Sequence, residues 1–70
     1  MMNNKKHNNN KSERCKEPTI VYLSNSMNST IVAYLKIGCE YDVIKQIKSW
    51  KKISVKLEDK GWVSGWIQSM

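Results

Sequence analysis

The chain has 70 residues, is 40% apolar and carries a net charge of +6 at neutral pH. A chain this short forms one domain and hides only about 60% of its unfolded surface, which excludes a deep catalytic cavity. The basic excess is shared by both halves and suits an anionic partner: nucleic acid, a membrane surface or an acidic cell-wall polymer.

Residues 1–17 are of low complexity. Five of the first ten are Asn, and only Met1, Met2 and Cys15 are apolar. Such a segment cannot bury enough apolar area to offset its ordering entropy, so 1–17 is expected as a disordered, basic Asn/Lys-rich arm. Its alternative role is as an arm that binds nucleic acid. No apolar stretch follows the charged start, so no signal peptide is expected, and no run approaches the roughly 20 apolar residues of a membrane span. The expected place is the cytoplasm, or the cell envelope if the chain is a fragment of an exported protein. Cys15 and Cys39 do not make a disulfide framework, and two free thiols in a reducing compartment are expected. There is no CxxC, and the single His is His7 in the arm, so no metal or cofactor is expected.

The domain is expected over 18–70. Pro18 opens it, and Thr19-Ile-Val-Tyr-Leu23 predicts a first strand. Ser24-Asn-Ser-Met-Asn-Ser29 is a polar loop. Thr30-Ile-Val-Ala-Tyr-Leu-Lys36 predicts a second strand, with Tyr34 outward between Ala33 and Leu35. Ile37-Gly38 is a turn in which Gly38 supplies a positive φ. Cys39-Glu-Tyr-Asp-Val43 alternates, with Cys39, Tyr41 and Val43 on one face, and the strand extends towards Ile47. Lys48-Ser49 turns the chain. Trp50, Lys52, Ser54 and Lys56 then share one face, opposite Lys51, Ile53, Val55 and Leu57. Glu58-Asp59-Lys60 is a hairpin tip, and Gly61–Val63 and Ser64–Ile67 form the return. No stretch keeps a helical period, and the β-branched density opposes one. Short strands at this spacing predict an all-β fold, a small five-stranded barrel.

The ordered set Ala33-Tyr-Leu-Lys-Ile-Gly38, Glu40-Tyr-Asp-Val-Ile44, Ser49-Trp-Lys-Lys-Ile53 and Lys60-Gly-Trp-Val63 resembles the bacterial SH3-like domain, with Trp66-Ile67 like the pair that ends it. The resemblance covers roughly 19–68. It implies an SH3-like barrel and an accessory module that binds peptides or cell-wall peptidoglycan. In many members an Asn-x-Arg-Ser-Gly-Pro-like loop after the first strand helps to form the groove. Here Leu23-Ser-Asn-Ser-Met-Asn28 stands in its place.

No catalytic set emerges. General acid–base work needs a positioned His or a desolvated carboxylate, whereas Glu40, Asp42, Glu58 and Asp59 read as exposed strand or turn residues. A binding module and no enzyme is expected. Its ligand candidates are Trp50, Trp66 and Tyr34, with Trp62 mainly a core ring and secondarily a groove residue. Aromatic faces suit peptide prolines, sugars or bases. Lys51, Lys52, Lys56 and Lys60 form a candidate basic patch, although a solvated, aggregation-resistant strand edge is the favoured reading of them. The alternative function is a basic small-barrel nucleic-acid binder. A further alternative is a truncated fragment of a longer SH3-domain protein without a ligand of its own.

Overall fold

The structure, a computed structural model, describes residues 11–69. It holds six strands: β1 Lys11–Arg14, β2 Thr19–Tyr22, β3 Ile31–Leu35, β4 Glu40–Ile47, β5 Trp50–Leu57 and β6 Gly61–Gln68. They form one sheet in the order β1-β4-β5-β6-β2-β3, antiparallel at every junction. The all-β expectation holds. The closed five-stranded barrel does not: the sheet is open, it has six strands, and β1 and β3 are free edges.

The extra strand is β1, inside the segment expected to be a disordered arm; residues 1–10 of that arm lie outside the described residues. Composition misleads here because β1 is an edge strand. Its ladder bonds to β4 and the burial of Cys15 hold it, although Lys11-Ser-Glu-Arg14 contains no apolar residue.

The sheet is curled. Four strand spacings separate β3 from β4 in the sheet order, about 19 Å if flat. Yet residues 36–39 alone connect them, and they are folded tightly. The Cys39 N–H donates to the Lys36 carbonyl at 3.0 Å, and Gly38 has φ 88°, as at the third position of a type II turn. The Gly38 N–H also donates to the Cys15 carbonyl at 2.8 Å, and the Cys15 N–H donates to the Cys39 carbonyl at 2.9 Å. Two residues thus oppose one, with glycine in the left-handed region, which is a β-bulge that sharpens the local bend.

Curling gives the sheet a dry concave side. Val21, Ile53 and Val55 are fully buried there, with Cys15, Ala33, Leu35, Tyr41 and Ile67 around them. Each fully buried aliphatic side chain contributes about 1.5–3 kcal/mol. The expected inward set Tyr41, Ile53 and Val55 is observed. Gly65 lies on the same side where β2 crosses β6. A Cβ there would stand 2.6 Å from Val21 Cγ1 and 2.7 Å from the Tyr22 carbonyl oxygen.

The two glycines separate two kinds of cost. Gly38 has open space around it and only its φ to lose, so Gly38→Ala should lower stability by about 1–2 kcal/mol. Gly65→Ala must displace backbone as well and should cost more than Gly38→Ala. Urea unfolding midpoints of the two variants check the order.

Candidate functional site

The β5–β6 ladder decides which side chains face out. Its register runs from Trp50↔Gln68 to Leu57↔Gly61 without interruption. Ile53, Val55, Val63 and Ile67 turn inward, so Trp50, Lys52, Ser54 and Lys56 turn outward with Trp62, Ser64, Trp66 and Gln68. All three Trp residues therefore share the convex face.

Cross-strand register arranges this face in rows. Lys45 of β4, Lys52 of β5, Trp66 of β6 and Tyr22 of β2 make one row. Ser12, Asp42, Ser54 and Ser64 make the next. Beyond it, Glu40 beside Arg14 and Lys56 opposite Trp62 line the hairpin end. The convex face thus carries Glu40, Asp42 and Lys45 on β4, Trp50, Lys52 and Lys56 on β5, and Trp62 and Trp66 on β6.

The rings divide by environment. Trp50 packs edge-on against Tyr22, with centroids 5.7 Å apart and planes at 81°, a favoured aromatic geometry. Tyr22 is buried beneath it, while Trp50 and Trp66 are half-buried. Trp62 is 63% exposed. This corrects the expectation that Trp62 is mainly a core ring. Gly61 closes the hairpin opposite Leu57, which gives the inward position to Val63 and sends Trp62 out beside Lys56. The signal was present in the alternation, because Ser64 and Gln68 share the parity of both tryptophans. Trp62, Lys56, Ser54, Asp42, Glu40 and Ser12 border a shallow hollow of about 370 Å³. By strand rise, Trp62 and Trp66 stand about 13 Å apart along β6.

Tyr34 does not join the tryptophans. It is 71% exposed on the edge strand β3, outward opposite Ile20 and two strands from Trp66. It borders a separate open groove of about 960 Å³ between β3, the 36–39 turn and the hairpin tip, where Lys60 lies.

The basic patch is redistributed. Lys52 and Lys56 remain on the convex face, but Lys51 points the other way. Its Nζ donates to Glu13 Oε1 at 2.9 Å, and the Tyr41 hydroxyl donates to the same oxygen at 3.3 Å. Lys45, outside that expected set, stands directly opposite Lys52. Like charges in that relation repel, and no carboxylate forms an ion pair with either among the described residues. Arg14 Nη2 is 3.9 Å from Glu40 Oε1, and Ser12 Oγ donates to Glu40 Oε2 at 2.7 Å.

No three His, Cys, Asp or Glu side chains converge as a metal set among the described residues. No helix long and apolar enough to cross a membrane occurs among them. Compared with protein-family models, with curated proteins and with solved structures, the chain matches none.

The Glu13 cluster gives the protein a pH dependence. The Lys51 hydrogen bond holds the Glu13 carboxyl below its ordinary value of 4.5, against the opposing effect of burial. Burial first, and then Glu13, push the Tyr41 hydroxyl up to about 12. A depressed carboxyl contributes stability above its unfolded pKa and loses it as pH falls through the folded one. A raised tyrosine contributes below its unfolded pKa of 10 and loses that contribution as pH rises towards about 12. Glu13→Gln should therefore be less stable than wild type at neutral pH by up to about 1 kcal/mol, since the pair is partly solvated. The gap should close as pH falls below 4.5, which urea titrations from acid to neutral pH would follow.

Proposed function

We propose that the protein is a non-catalytic binding module whose convex β4–β5–β6 face recognises a peptide or a peptide-bearing cell-wall polymer. The observation that carries this reading is the exposure of Trp62 in mid-sheet, in one field with Trp66, Lys52 and Lys56. A tryptophan left largely in water beside the hairpin tip gains little from folding, whereas covering it on binding removes a large apolar ring from solvent. The adjoining rows supply the rest. Lys45 and Lys52 offer two unneutralised ammonium groups to carboxylates. Glu40 and Asp42 offer acceptors to ligand amines, and Ser54 and Ser64 offer short hydrogen-bonding groups between the rings. A chain that alternates charge and carries apolar or sugar faces matches this arrangement better than a uniformly anionic one.

The likeness to bacterial SH3-like domains supports the reading at the motif residues Gly38, Trp50, Gly61, Trp62 and Trp66, all on the β3–β4 turn and the β5–β6 hairpin. The open six-stranded sheet and the loop 23–28 depart from that pattern.

A second reading, nucleic-acid binding, draws on the Lys45–Lys52 pair and the net charge of +6. Glu40 and Asp42 on the same face oppose it, and the chain's one Arg, Arg14, is engaged with Glu40.

Trp62→Ala should leave stability within about 0.5 kcal/mol of wild type. It should also reduce co-sedimentation with insoluble peptidoglycan, or capture of peptides from a library, by tenfold or more. Unchanged capture by a folded Trp62→Ala protein would sink the site. Trp50→Ala serves as the contrast, because losing its packing on Tyr22 should lower stability by about 1–2 kcal/mol. Band shifts with DNA and RNA at rising salt test the second reading: counterion release demands a steep loss of affinity, and absence of any shift at low salt excludes it.

A further inference from the structure

Cys15 and Cys39 belong to segments that the sequence keeps far apart, one in the polar arm and one before β4. The sheet sets them face to face. The β1–β4 ladder pairs Glu13 with Tyr41 and Arg14 with Glu40, and one more step along that register opposes Cys15 to Cys39. Backbone bonds continue the ladder there, with the Cys15 N–H on the Cys39 carbonyl at 2.9 Å and the Gly38 N–H on the Cys15 carbonyl at 2.8 Å. At this bulge Gly38 and Cys39 share the position opposite Cys15, and the two bonds keep Cys39 near the spacing of opposed antiparallel residues, with Cα atoms about 4.5–5.5 Å apart. That lies within the range of about 4.4–6.8 Å that disulfides occupy.

Side-chain direction agrees with backbone position. Cys15 shares the parity of Glu13, and Cys39 that of Tyr41, which are the concave-side residues of their strands. Cys15 is 5% exposed in the core, and Cys39 packs against that core half-buried. Burial raises the Cys39 thiol above its ordinary value, and the neighbouring Cys15 sulfur raises it further, an electrostatic sign of their proximity. Both thiols are free in this structure.

We propose that Cys15 and Cys39 form a covalent modification site, which a small-molecule disulfide converts to an intramolecular disulfide between β1 and the Lys36–Cys39 turn. Cys39, the more accessible thiol, loses its proton and its sulfur attacks the reagent disulfide. This forms a mixed disulfide and releases one reagent thiolate. The Cys15 sulfur, also deprotonated, then attacks Cys39 Sγ and expels the second thiolate. Two protein thiols are oxidised, one reagent disulfide is reduced to two thiols, and the two cysteine protons end on them. The product encloses β2 and β3 in one covalent loop. It also fixes β1, the all-polar edge strand, to the turn that carries the sheet's curl.

The test uses the full chain in native buffer with oxidised and reduced glutathione. The expected product is monomeric and lighter by about 2 Da, two hydrogens. Trypsin should release Cys15-Lys16 joined to the Ile37–Lys45 peptide. Its Tm should rise on the order of 10 °C through restriction of the unfolded chain. The bond should also form at a lower ratio of oxidised to reduced glutathione in native buffer than in denaturing urea. Cys39→Ser should abolish both the linked peptide and the Tm rise. Two alkylatable thiols persisting after oxidation, a stable glutathione adduct on Cys39, a product seen only as a covalent dimer, or easier formation in urea than in native buffer would each overturn the assignment.

Discussion

The uninterrupted pairing of β5 with β6, from Trp50↔Gln68 to Leu57↔Gly61, is the constraint on which the rest of the molecule depends. Side chains alternate along a strand, so one register sends Ile53, Val55 and Ile67 into the core and all three tryptophans to the convex face. A slip of a single residue would exchange the two sets. The core could not survive that, since Ile53 and Val55 are two of its three fully buried side chains. The exposure of the tryptophans and the burial of the aliphatics are thus one decision. The same hairpin that stabilises the domain presents its candidate ligand surface.

A second constraint works on the first. The β5–β6 hairpin and its neighbours would make a flat ribbon if the chain did not return across them. The tight Lys36–Cys39 turn, with Gly38 at φ 88°, forces β3 and β4 to meet although four strand spacings part them in the sheet order. That return creates the concave side and brings Cys15 against Cys39. It also leaves β3 with a free edge facing the hairpin tip, because the curl stops short of closure. The join between the halves of the sheet is slight, a single register pair of Tyr22 with Trp66. The close approach of Val21 and the Tyr22 carbonyl to Gly65 completes it.

The convex face is organised by charge as well as by rings. Folding gains little from placing Lys45 opposite Lys52, or from leaving Trp62 in water, and the core does not require either. These locally unfavourable choices are concentrated on one face, beside Glu40 and Asp42. On the concave side the opposite holds: Lys51 and Glu13 neutralise each other, and Tyr41 shares the same carboxylate oxygen.

Much of the fold was legible in the chain. The alternation Cys39–Val43 and Trp50–Leu57 gave strand type and face, the turns at Gly38, Lys48-Ser49 and Glu58–Lys60 fell where expected, and Tyr41, Ile53 and Val55 were recognisable as inward. These are local properties, set by side-chain period and backbone preference. The sequence alone did not reveal β1, since an all-polar edge strand is stabilised by the ladder it joins and not by its own composition. The outward place of Trp62 was readable from the parity it shares with Ser64 and Gln68, whereas nothing local separated Tyr34 from the tryptophans. Lys51 reads as one more surface cation until Glu13 arrives from β1. Cys15 and Cys39 become a pair only when the turn brings the ends of the sheet together. Local periodicity determined what each strand buries; register, strand order and curl, which depend on contacts between distant segments, decided which groups meet.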